Sequence, residues 1–90
     1  MNKIEAYSVI GSDGEIRIAN NWGDSKIGDG YIISELVIIQ RPANSSQKTI
    51  IGNSNIIMDH THIGHDATIG DNCELFSGTI IGGYSICKSN

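Results

Sequence analysis

From Ile51 onward the aliphatic residues return at every sixth position. The chain divides there into IGNSNI, IMDHTH, IGHDAT, IGDNCE, LFSGTI, IGGYSI and CKSN, led by Ile51, Ile57, Ile63, Ile69, Leu75, Ile81 and Cys87. The fifth positions are Asn55, Thr61, Ala67, Cys73, Thr79 and Ser85, mostly small, and glycine holds the second position at Gly52, Gly64, Gly70 and Gly82. Ile27, Ile33 and Ile39 keep the same phase upstream. A six-residue period fits neither a helix nor a long two-residue alternation. It predicts very short strands joined by tight turns, each turn forming one corner of a coil. The first residue then points inward and stacks on its equivalents above and below. The small fifth residue relieves crowding where walls converge, and glycine or asparagine accepts turn dihedrals that branched residues resist. One hexad cannot bury its apolar face alone, so stability comes from stacking neighbours. A helical alternative fails because β-branched residues and glycine stand where Ala, Leu, Glu and Lys would be wanted.

Two stretches interrupt the hexads. Residues Arg41–Thr49 (RPANSSQKT) are polar and turn-rich and read as a loop ejected between strands. Residues Arg17–Lys26 (RIANNWGDSK) form the other interruption, after a shifted set begun by Ile4, Ile10 and Ile16. Loops that leave a rigid scaffold often carry binding groups, although they can equally be tolerated decoration. Trp22, in the Arg17–Lys26 stretch, either caps apolar surface or stacks on a ligand.

Composition narrows the picture. The chain has 90 residues and a formal charge of −4, which argues against a nucleic-acid binder, because phosphate contacts need a basic face. One small domain, 1–90, is expected, and a domain of that size is marginal alone, so oligomerisation is expected too. Eleven glycines, one proline and 39% hydrophobic residues exclude collagen-like and disordered chains. No apolar run approaches the roughly 20 residues of a membrane-crossing helix. The start, MNKIEAYSVIGSDGE, lacks a long apolar region and a small-residue cleavage site, so a cytoplasmic location is expected. Cys73 and Cys87 could pair, but without an oxidising compartment they read as inward-facing thiols that behave as small hydrophobes.

The hexad series resembles the left-handed parallel β-helix of the hexapeptide-repeat acyltransferases. That resemblance implies an all-β fold with three hexads to a triangular coil. It also implies about four coils, one or two ejected loops, and a left hand that departs from the usual right-handed crossover. Within the superfamily, IGDGYIISELVIIQRP, the polar loop and TIIGNSNIIMDHTHIGHDATIGDNCELFSGTIIGG are similar to UDP-N-acetylglucosamine O-acyltransferases, which open lipid A synthesis. HIGHD with its flanking hexads is the specific part. The resemblance covers nearly all of this chain, whereas the chain covers only the middle of the family, so a truncated member is expected. By position, His65 matches the family's catalytic base, Asp66 the acid that follows it, and Gly83 the glycine whose N–H faces the developing oxyanion. His62 matches a histidine near the sugar and acyl groups. Tyr84 falls where the family has another substrate-contacting histidine, and Met58 joins the substrate-binding set. Glu15 falls where the family has an aspartate contacting the sugar, beside a glutamine that this chain lacks. The resemblance further implies a homotrimer, an acyl carrier protein thioester as donor, a nucleotide-sugar acceptor, and no cofactor or metal.

Acyl transfer to a sugar hydroxyl needs a base, and an imidazole, with an ordinary pKa near 6.5, is available in the useful range. A carboxylate turned back toward the ring would orient it, and a backbone N–H would hold the oxyanion. Gly83 follows His65 by 18 residues, one full coil of three hexads, so the two should lie on one wall. Other uses of His60, His62 and His65 stay open. They can be partly exposed surface polarity, or the spacing His60-x4-His65 can supply zinc ligands, since it resembles that of the γ-class carbonic anhydrases. An acetyl-CoA-dependent sugar acetyltransferase and a non-catalytic assembly module are the competing functions.

Overall fold

The computed structural model describes residues 2–5, 8–12, 23, 25–43 and 47–90. Its strands follow one another around four coils. The first coil holds β1 (Lys3–Ile4), β2 (Val9–Ser12) and β3 (Ser25–Ile27), and the second holds β4 (Ile32–Ile33), β5 (Ile38–Gln40) and β6 (Thr49–Ile51). The third holds β7 (Ile56–Ile57), β8 (His62–Ile63) and β9 (Thr68–Ile69), and the fourth holds β10 (Glu74–Leu75), β11 (Ile80–Ile81) and β12 (Ile86–Cys87). Every third strand stacks in parallel, giving a first wall β1-β4-β7-β10, a second wall β2-β5-β8-β11 and a third wall β3-β6-β9-β12. The result is the left-handed parallel β-helix that the family resemblance implied. Among the described residues no helix is long and apolar enough to cross a membrane.

Register explains the period of six. Ile4, Ile33, Ile57 and Leu75 are cross-strand partners up the first wall, and Ile10, Ile39, Ile63 and Ile81 up the second. Ile27, Ile51, Ile69 and Cys87 complete the third. Ile33, Ile39, Ile51, Ile57, Ile63, Ile69 and Leu75 form the core with Val37, Ala67 and Cys73 in fifth positions; Ile10, Ile27, Ile81 and Cys87 pack against it, and Ile4 at the open end is exposed. Ile33, Ile39, Ile57, Ile63 and Ile69 are fully buried, each contributing about 1.5–3 kcal/mol of hydrophobic stabilisation. Cys73 is buried, Cys87 half-buried, and both thiols are free.

The turn chemistry differs in one respect from the sequence expectation. Left-handed backbone recurs at the fourth position of eight hexads: Gly30, Leu36, Ser54, His60, Asp66, Asn72, Gly78 and Tyr84. The second-position glycines have another purpose. A Cβ on Gly64 would lie 2.6 Å from Gly83 N, and one on Gly52 2.6 Å from Gly70 O. Those glycines are there because coils approach one another closely, not because the turn needs their dihedrals.

The interruptions fall between the second and third walls in both affected coils. Thr49 and Ser25 lie in strands β6 and β3, so the excursions are shorter than the polar stretches suggested. Thr49 keeps the small, inward fifth position of the phase that Ile51 sets, and its side chain is fully buried.

A candidate active site at the second corner

The three corners of each coil are named here by the walls they join: first to second, second to third, and third to first. The second corner consists of Gly64–Ala67 in the third coil and Gly82–Ser85 in the fourth. In the second coil the chain leaves there as the 41–48 segment. Strand pairing of Ile81 with Ile63 carries upward into the turns, so Gly83 lies directly over His65. A Cβ on Gly83 would sit 2.7 Å from His65 Nε2 and 2.8 Å from its Cε1. The glycine therefore leaves the space that the imidazole fills.

Asp66 turns back as the chemistry requires. Its Oδ2 lies 3.0 Å from His65 Nδ1, with side chains only 4% and 13% exposed. The left-handed φ of +61° at Asp66 belongs to the repeat, and Asp tolerates it better than most residues. Oδ2 also accepts the Ala43 N–H at 2.9 Å, and the Asp66 N–H donates to Thr49 Oγ1 at 2.8 Å. Oδ1 is buried without a hydrogen-bond partner among the described residues. The His65 N–H donates to Gln40 Oε1 at 3.2 Å. In the neutral tautomer that donates its Nδ1–H to the carboxylate, the ring keeps a lone pair on Nε2, which suits it to accept a proton.

That ring borders a cleft of about 220 Å³ lined by Gln40, His62, Gly64, His65 and Gly83. His62 reaches it from the outward face of β8, three residues before His65. Tyr84 stands edge-on to the imidazole, with centroids 5.1 Å apart and rings at 89°. Met58 is elsewhere: it lies at the first corner of the third coil, where its carbonyl accepts the Thr61 hydroxyl at 2.7 Å, and it does not line this cleft. Glu15 and Trp22 lie outside the described residues.

His60 is also at the first corner, exposed, with Nε2 3.8 Å from Asp59 Oδ2. It borders a separate, acidic cleft of about 350 Å³ with Glu5, Ser34, Glu35, Leu36 and Asp59. The His60-x4-His65 spacing thus places its two imidazoles on different corners. Among the described residues no group of three or more His, Cys, Asp or Glu could hold a metal ion.

Sequence reasoning did not single out Gln40, Ala43 or Thr49. The phase offered a signal for Thr49, a small residue in a fifth position. Gln40 and Ala43 gave none, because their role depends on where the excursion leaves the coil.

Comparison with known proteins agrees with this architecture. Residues 48–83 match the family described as bacterial transferase hexapeptide (six repeats). The acyl-[acyl-carrier-protein]–UDP-N-acetylglucosamine O-acyltransferase of Pseudomonas paraeruginosa is 35% identical over 85 residues, which is 92% of this chain and 33% of that protein. The solved UDP-N-acetylglucosamine acyltransferase of Arabidopsis superposes on all of this chain and 32% of its own, with a TM-score of 0.93 and 30% identity. The corresponding acyltransferase structure from Bacteroides fragilis gives 0.87 and 33% identity, over 94% of this chain and 34% of that one. The chain spans about a third of the length of the curated relatives it matches.

Proposed function

Because the chain is a hexapeptide-repeat protein, similar over nearly its whole length to UDP-N-acetylglucosamine acyltransferases, we propose that its second corner carries out acyl transfer. The substrates are an acyl carrier protein thioester and the hydroxyl of a UDP-amino sugar, in line with the relatives' reaction. His65 Nε2 removes the hydroxyl proton as the oxygen attacks the thioester carbonyl. Asp66 orients the ring and stabilises the imidazolium, and the Gly83 N–H donates a hydrogen bond to the oxyanion. Collapse expels the thiolate, which recovers the proton from His65. The acyl group moves directly, so the reaction uses neither a Ser or Cys nucleophile nor a resident cofactor. His62 and Tyr84 contact substrate beside the ring, Glu15 meets the sugar, and Met58, at the first corner, is left out of the substrate set.

The single observation that carries this reading is the Asp66–His65–Gly83 stack, an oriented imidazole with a backbone glycine over its free nitrogen. The working form is a cytoplasmic homotrimer. Val9, Ile38 and Ile80 form an exposed apolar stripe with His62 on the outer face of the second wall, which association would cover.

Thioester consumption by the wild type and His65→Ala tests the proposal. The substitution should lower transfer by about 10²–10⁴-fold while light scattering still reports a trimer. Transfer from acetyl-CoA alone would redirect the assignment to a sugar acetyltransferase. Equal rates in a His65→Ala chain that still assembles would leave only a non-catalytic assembly module.

A further inference from the structure

Backbone donors at the corners follow one rule. The fourth residue of a hexad donates its N–H to the third-position carbonyl one coil below: Ser54 to Asp29 at 2.8 Å, His60 to Glu35 at 3.2 Å, Asn72 to Asn53 at 2.9 Å, Gly78 to Asp59 at 3.0 Å and Tyr84 to His65 at 3.0 Å. Two residues depart from it: Gly30, where the first coil ends, donates to Asn2 Oδ1 at 2.6 Å, and Asp66, within the stack, donates to the side-chain hydroxyl of Thr49 at 2.8 Å. For Asp66 the coil below explains the departure. There the chain leaves the corner as the 41–48 segment and returns at β6, of which Thr49 is the first residue. A side-chain oxygen stands where Tyr84, one coil above at the same corner, uses the His65 carbonyl.

We propose that Thr49 is a positioning residue for the His65–Asp66 pair. Its hydroxyl holds the left-handed turn at Asp66 and thereby keeps Oδ2 within 3.0 Å of His65 Nδ1. Thr49 is fully buried and does not line the cleft, so it acts only through Asp66. The same Oδ2 takes the Ala43 N–H at 2.9 Å, so the carboxyl-bearing residue is gripped from both ends of the 41–48 segment. The placement of that segment therefore sets the orientation of the imidazole. The catalytic consequence rests on His65 being the base proposed above; the positioning itself does not.

The test is nitrogen-15 NMR of the full 90-residue chain, reading the tautomer of neutral His65, in the wild type, Thr49→Val, Thr49→Ser and Thr61→Val. The wild type should carry the proton on Nδ1. Thr49→Val should lose that signature and speed Asp66 amide exchange about 5- to 10-fold, the worth of one buried hydrogen bond. Thr49→Ser should retain both features. Thr61→Val removes another buried hydroxyl, bonded to the Met58 carbonyl at 2.7 Å, and should leave His65 unchanged. An Nδ1–H form that survives Thr49→Val would overturn the proposal, as would equal disturbance of His65 by Thr61→Val. Should Thr49→Val not fold, the wild type decides: an Asp66 amide exchanging freely while that of Asn72 is protected overturns it, and matched protection supports it. Acyl transfer is assayed separately on the same samples. A wild type with the Nδ1–H signature but no transfer counts against the proposed function and leaves Thr49 standing. Normal transfer with an unaltered tautomer in Thr49→Val removes Thr49 alone.

Discussion

The third corner and the second corner are built from the same hexad and use it differently. At the third corner each coil hands its backbone donors to the next by a regular side-chain ladder. Asn53 Oδ1 accepts the Asp29 N–H at 2.8 Å, Asp71 Oδ1 that of Asn53 at 2.6 Å, and Ser89 Oγ that of Asp71 at 2.7 Å. Every third-position side chain there is spent on the coil beneath it. At the second corner the residue above His65 is Gly83, which has no side chain to offer. The His65 N–H turns downward to Gln40 instead, and the imidazole occupies the space that a ladder side chain would fill. An imidazole thus finds room where the stacking ladder is interrupted from above by glycine and from below by the 41–48 excursion.

The contrast can be broken most severely at the fourth position, which has the same left-handed backbone at both corners. Asp66→Asn keeps a residue that tolerates that backbone while removing the charge beside His65. Transfer should fall by up to about 10⁴-fold, the scale of amidating the acid of a hydrolase triad. Asn72→Asp, the mirror change at the third corner, should alter stability by less than about 0.5 kcal/mol and leave transfer intact. Steady-state kinetics and thermal melting of the two variants decide the matter. Comparable rates in both would mean that the second corner is no more chemical than the third.

Glycine substitutions sharpen the same comparison at smaller scale. A Cβ on Gly52 meets the Gly70 carbonyl, backbone that cannot move without displacing a coil. Gly52→Ala should cost about 1–3 kcal/mol and change catalysis only through lost fold. A Cβ on Gly83 meets only the His65 ring among its nearest atoms, and that ring can swing away. Gly83→Ala should therefore melt near the wild-type temperature yet lose about 10²-fold in rate through the displaced imidazole. The reverse pattern, an unstable Gly83→Ala and an innocuous Gly52→Ala, would contradict the division of labour between the corners.

Much of this was legible in the sequence because the repeat is enforced by packing. Ile33, Ile57 and Ile69 had to recur every six residues for one wall to stack on the next, and the period alone placed them in the core. Spacing also put Gly83 over His65, since register fixes a full coil at 18 residues. The hydrogen bonds that hold the pair were not legible. The Ala43 N–H reaches Asp66 from 23 residues away, through an excursion that interrupts the very pattern used to read the chain. Gly64 and Gly70 were read as turn formers, but their purpose depends on how near the next coil comes, which no local preference reports. His60 and His65, close in sequence, parted because a corner of the triangle falls between them.

The smallest expected effect concerns the regular corner and acts through pH. Burial pushes the Cys73 thiol above its ordinary value of 9.0, and the neighbouring Cys87 adds to the rise. The fold therefore favours the protonated thiol. Its contribution is fully present below the unfolded pKa and is lost as pH climbs past about 9.0 through the higher folded value. Denaturant midpoints measured from pH 7 to 10.5 should accordingly decline at the alkaline end. Cys73→Ala should flatten that decline while lowering stability at neutral pH through the cavity it leaves in the core. The second corner has no thiol, so Asp66→Asn should retain the wild-type alkaline slope. A slope that disappears with Asp66→Asn and persists in Cys73→Ala would place the alkaline sensitivity at the reactive corner and reverse the comparison.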